Sequence, residues 1–81
     1  MQEDLRQLEG IDARILAAHE ERDQPLLSTL YREAALVLEA GGDTDAACFY
    51  FTQAYVFALE AGRVELADDL WQRLSTYGRE N

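Results

Sequence analysis

Between Ala46 and Ala61 the chain carries only three polar residues, Thr52, Gln53 and Glu60. At helical spacing, Ala47, Phe51, Ala54 and Ala58 share one face, Cys48, Tyr55 and Leu59 a second, Phe49 and Val56 a third, and Tyr50 and Phe57 a fourth. A helix that is apolar all round has to be covered all round. This constrains the fold more than any other feature, because a chain of 81 residues has room for only three further helices to do the covering.

The rest of the sequence supplies those three. Leu5, Leu8, Ile11 or Asp12, Ile15, Leu16 and His19 recur at helical spacing and predict a first helix from about Asp4 to about Glu21. Gly10 lies inside it and weakens it by roughly 1 kcal/mol relative to alanine. Pro25 forbids a continuous helix but suits a first turn, where its missing N–H would be unpaired anyway. It opens a second helix to Ala40, with Leu27, Tyr31, Ala34 and Leu38 on one face and Leu30 and Val37 beside them. Gly41-Gly42 stops that helix, Asp43 or Thr44 caps the apolar one, and Gly62-Arg63 ends it. Leu66, Leu70, Trp71, Leu74 and Tyr77 mark a fourth helix over about Glu65 to Tyr77, with Gly78 to Asn81 as a polar end. No window alternates with period two for long enough to make a strand. The expected architecture is all-α, one domain over residues 1–81, with four antiparallel helices.

Sixteen acids against seven bases give a net charge of −9, and every base is an arginine. Nucleic acid binding needs a basic stripe to replace condensed counterions, and no segment offers one. Anionic membrane surfaces are disfavoured on the same ground, and no apolar run approaches the roughly 18 residues of a span. Cys48 is the only cysteine, so no disulfide can form within the chain. The acidic start, Met1-Gln2-Glu3-Asp4, is unlike a signal peptide, and the expected compartment is the cytoplasm.

Tyr31 to Ala54 resembles a tetratricopeptide repeat. Tyr31 stands at the large aromatic position of that family's helix A, Ala34 and Ala35 follow at close-contact positions, and Leu38 takes the next large one. Gly42-Asp43 makes the turn, Asp45 follows it, and Ala47, Phe51 and Ala54 give the small–large–small face of helix B. Ala34 departs from the family, which usually has a larger residue there, and the proline that often closes helix B is absent near Leu59. Trp71, Leu74 and Ser75 echo Tyr31, Ala34 and Ala35 at an offset of 40, whereas the family's period is about 34, which suggests a lengthened third helix. The resemblance implies a helical hairpin in a short right-handed superhelix and protein or peptide binding without catalysis. It nominates, as a partner groove, Thr29, Arg32, Glu33, Leu36 and Glu39, with Gln72, Arg73, Thr76 and Arg79 from the partial second unit. Members that grip a C-terminal carboxylate use lysine and asparagine at such places, and this chain has neither there.

Other chemistry finds little support. His19 is the sole histidine, and Glu20 points about 100° away from it on the same helix. One histidine and one cysteine cannot build a structural zinc site, and the Glu-x-x-His pairs of bundle metal centres are missing. Cys48 reads as a small buried hydrophobe. Asp43-Thr44-Asp45 lacks the later ligands of a calcium loop and is explained by capping. No cofactor and no catalytic residues are expected. Stacks of such hairpins generally need three or more units to cover their apolar faces, and this chain has at most two. The expectation is therefore a homodimer, self-associating through Phe49, Tyr50, Val56 and Phe57, that acts as an adaptor or assembly subunit. The rival expectation is a small-molecule-binding domain with a pocket lined by Phe51, Tyr55, Trp71 and Tyr77.

Overall fold

The computed structural model describes residues 2–79 apart from the side chains of Gln2 and Asp4; Glu80 and Asn81 of the expected polar end lie outside the described residues. Four helices follow one another: α1 (Gln2–Glu21), α2 (Gln24–Ala40), α3 (Thr44–Glu60) and α4 (Val64–Thr76). No strand occurs among the described residues.

One local device sets these boundaries. The N-caps Asp23, Asp43 and Arg63 recur every 20 residues with nearly identical backbone angles. Asp23 Oδ1 accepts from the Leu26 N–H at 3.1 Å and Asp43 Oδ1 from the Ala46 N–H at 3.2 Å, satisfying donors that a helix start leaves unpaired. Just before each cap stands a residue at positive φ: Arg22 at 56°, Gly42 at 88° and Gly62 at 72°. Each preceding helix closes with the same long bond, Asp23 N–H to Ala18 O, Asp43 N–H to Leu38 O and Arg63 N–H to Ala58 O, the six-to-one bond of a Schellman end. Glycine meets the positive φ without penalty in two of the three connections; arginine meets it in the first.

α2 and α3 have 17 residues each, so the offset of 40 comes from two equal helices with equal connections rather than from a lengthened third helix. The directions follow from cross-links. Arg63, at the start of α4, reaches Pro25 O and Thr29 Oγ1 at the start of α2, while Arg73 and Tyr77 near the end of α4 reach Glu39 at the end of α2. α2 and α4 therefore run side by side in the same direction. Arg79, just beyond α4, bonds Asp45 at the start of α3, so α3 runs opposite to α4. Helix-to-helix backbone packing links α1 with α2, α2 with α3 and α3 with α4. The molecule is a slab, 34 × 32 × 16 Å across its Cα atoms. Two helix layers about 8–10 Å apart, each adding a Cα radius of about 2.3 Å, come to about 13–15 Å and supply most of the thin dimension.

The larger core surrounds Phe51, which is wholly enclosed with Ala35, Ala47, Cys48, Ala54, Ala58, Ala67, Leu70 and Leu74. A smaller one joins Ile15 and Ala18 of α1 to Leu27 and Leu30 of α2. The alanines let the backbones approach and the large residues fill the grooves between them. α3 is covered on its inner faces alone: Phe49, Val56 and Leu59 remain exposed, because α2 and α4 take one side and α1 touches it only near Phe57. The stripe of α1 is likewise half covered. Ile15 and Ala18 are buried, but Leu5 and Leu16 are exposed because α2 is the one helix packed along it.

Candidate interaction surfaces

The first surface is the face shared by α2 and α4. Glu39 accepts Arg73 Nη1 on both oxygens, at 3.0 and 3.3 Å, and the Tyr77 hydroxyl at 2.6 Å. That short bond to a carboxylate, followed by burial and the carboxylate charge, raises the Tyr77 pKa above the ordinary phenol value. At the other end, Arg63 Nη1 donates to Ser28 Oγ at 2.9 Å and Thr29 Oγ1 at 2.7 Å. A shallow groove of about 280 Å³ opens at the Glu39 end, lined by Glu39, Arg73 and Tyr77 with Asp69, Gln72 and Thr76.

Most of the charged groove candidates are thus engaged within the subunit. Glu39 pairs with Arg73, Arg79 with Asp45 at 2.7 Å, and Thr29 receives Arg63. Arg32 is half-buried, and its Nε is enclosed with no hydrogen-bond partner. Glu33 faces the other way, toward Arg14 of α1, and Leu36 lines the groove with α1 while also packing against the Phe51 core. Of the nine, Glu39, Gln72, Arg73 and Thr76 line one shallow groove, and Glu33 and Leu36 line another.

That other side is the second surface, a groove of about 480 Å³ between α1 and α2. Gly10, Ile11 and Arg14 form one wall and Glu33, Leu36 and Val37 the other. Arg14 reaches Glu33 at 3.7 Å with both side chains largely in solvent, a contact worth little by itself. A Cβ added at Gly10 would meet nothing within 4 Å.

The third surface is apolar and lies on α3 and α4. Phe49 is 60% exposed, Val56 43%, Leu59 53% and Trp71 40%. Tyr55 packs against Trp71 with ring centroids 5.4 Å apart and the rings tilted by 39°. The four expected self-association residues divide here. Phe49 and Val56 face solvent, whereas Phe57 stacks on Tyr31 at 5.6 Å and Tyr50 lies 5.8 Å from the same ring. His19 completes that cluster, with Nε2 2.9 Å from the Tyr31 hydroxyl and its ring edge-on to Phe57. Burial raises the Tyr31 and Tyr50 pKa values, with smaller contributions from the Tyr50 phenol acting on Tyr31 and from the Asp12 charge acting on both.

The four residues of the expected small-molecule pocket are spread over different environments. Phe51 is in the core with Arg73 stacked 5.2 Å above its ring, Tyr55 and Trp71 pack on each other, and Tyr77 turns to Glu39. Cys48 is buried. Among the described residues no three His, Cys, Asp or Glu side chains gather as a metal site, and no helix is long and apolar enough to cross a membrane. The Arg63 clamp and the α1–α2 groove escaped the sequence reading. Arg63 looked like part of a helix stop, and the groove depends on which side of α1 the second helix takes. No protein-family model, curated protein or solved structure matches the chain.

Proposed function

We propose that this chain is a protein–protein interaction module of the tetratricopeptide kind, acting in the cytoplasm as a self-associating adaptor or assembly subunit. The observation that carries the reading is the apolar surface its own helices leave uncovered on α3 and α4, with Phe49, Val56, Leu59 and Trp71 in solvent. Fully burying one such side chain stabilises by about 1.5–3 kcal/mol, so a contact covering several of them is a substantial driving force. Large exposed apolar patches on soluble domains commonly mark binding surfaces. Each copy carries a net charge of −9, so the apolar contact has to outweigh repulsion between copies, and self-association is expected to strengthen as salt screens that charge.

Sedimentation equilibrium of the whole chain over a wide concentration range tests the reading. The expected result is an average mass that rises above one chain. A single-chain mass throughout, joined to a large rise in melting temperature with a small metabolite, contradicts it and favours the small-molecule alternative. Phe49→Glu with Val56→Glu is a cleaner probe of the α3 surface than changes at Tyr50 or Phe57, because those two also hold the Tyr31 cluster together.

A further inference from the structure

The hairpins α1–α2 and α3–α4 are one unit repeated 40 residues apart. Their connections share the positive-φ residue, Arg22 or Gly62, and the same closing bonds. Their buried residues correspond as well: Ala18 with Ala58, Leu27 with Ala67, Leu30 with Leu70 and Ala34 with Leu74. In the second unit the groove between the helices is filled, because α2 lies in it. Phe51 is enclosed there, and Arg73 and Tyr77 bond Glu39 of α2. Carried back by 40 residues, Tyr50, Phe51 and Ala54 become Gly10, Ile11 and Arg14, and Arg73, Thr76 and Tyr77 become Glu33, Leu36 and Val37. Those six residues line the open α1–α2 groove. The open groove is thus the socket that α2 fills one unit further on. On α2, Ser28 and Ala35 are buried and Tyr31 half-buried; their counterparts on α4, Asp68, Ser75 and Trp71, are all exposed.

We propose that the outer face of α4 in one copy seats in the α1–α2 groove of a second copy, head to tail. The inference rests on the self-association reading and assigns its surfaces. Size fits: Tyr31 meets Tyr50 inside the subunit, with ring centroids 5.8 Å apart, whereas the larger Trp71 meets Gly10, where the space is open. Charge fits at one place. In the antiparallel register that sets Tyr31 against Tyr50, one turn further brings Asp68 opposite Arg14. Each copy keeps a free groove at one end and a free α4 at the other, so the contact does not close on itself and growth continues past the dimer.

Two single variants test this. Gly10→Arg fills the groove and Trp71→Glu spoils the ridge, both at exposed positions, and helical circular dichroism checks that each chain folds. Wild-type mass is expected to climb with concentration beyond two chains. Each variant alone is expected to self-associate roughly tenfold or more weakly. Mixed, they are expected to form a one-to-one pair that stops there, because one keeps its ridge and the other its groove. Arg14→Asp with Asp68→Arg is expected to recover association lost in either single change. Variants that associate like wild type, or a mixture that stays monomeric, overturn the head-to-tail contact. If the wild type then associates and Phe49→Glu with Val56→Glu abolishes it, the self-association reading stands without this geometry; a wild type monomeric at every concentration removes both.

Discussion

Replacing glycine by alanine at Gly10 and at Gly62 is the same chemical change with opposite expected signs. Gly10 lies within α1 at helical backbone angles, and a Cβ there meets nothing within 4 Å. Gly10→Ala is therefore expected to stabilise by about 0.8–1.0 kcal/mol, the helix preference of alanine over glycine. Gly62 has φ of 72°, and a Cβ there also finds open space, so its cost comes from its own backbone conformation and not from a clash with the rest of the fold. Holding a non-glycine residue at positive φ costs about 1–2 kcal/mol. The stiffer unfolded chain returns about 0.4–1 kcal/mol of that. Gly62→Ala is thus expected to destabilise by about 0.5–1 kcal/mol. At about 4–8 °C per kcal/mol for a domain of this size, the two melting temperatures separate by roughly 6–15 °C. Thermal and urea melts followed by circular dichroism measure this, at concentrations low enough to keep the chains apart. Arg22→Gly extends the series with a small gain, since it relieves the same torsional cost in the first connection. Shifts of the same sign for Gly10→Ala and Gly62→Ala would refute the assignment of Gly62 to a repeated helix stop.

Phe51→Ala removes the largest enclosed side chain and is expected to cost about 3–5 kcal/mol in a urea melt; a loss below about 1 kcal/mol contradicts its place in the core. Arg63→Ala severs three bonds to the start of α2 at a largely exposed site, and a loss of about 1–2 kcal/mol is expected from the melt. Alkaline pH is expected to destabilise. Tyr31, Tyr50 and Tyr77 have folded pKa values above the ordinary 10.0, so their contribution is complete below that value and is lost as pH climbs through the raised ones. Melting temperatures taken from pH ~9 to ~11 should fall, and less steeply in Tyr77→Phe.

The four helices were legible because their punctuation is local. Pro25, Gly41-Gly42, Asp43 and Gly62 each act through backbone geometry within a turn or two, and the observed boundaries fall within a few residues of those expected. The burial of Phe51, Ala47 and Ala54 followed from their shared face. Arg22 was not legible as a helix stop, because arginine gives no sign of a positive φ that neighbouring bonds impose. The division of the groove candidates was not legible either. Glu33 faces α1 while Glu39 faces α4, and that depends on which side each neighbouring helix packs. Likewise the apolar residues of α3 announced a helix in need of cover without saying that Tyr50 and Phe57 would find it at Tyr31 and that Phe49 and Val56 would not.

Trp71 is the only tryptophan, so its fluorescence reads the uncovered face of α4 directly. Emission and quencher access should be followed from high dilution to high concentration, beside the mass of the same samples. An open stack predicts a wet, readily quenched indole at dilution that becomes apolar and protected as the mass grows. An indole already protected in the single chain, or one that stays wet while the mass rises, contradicts it.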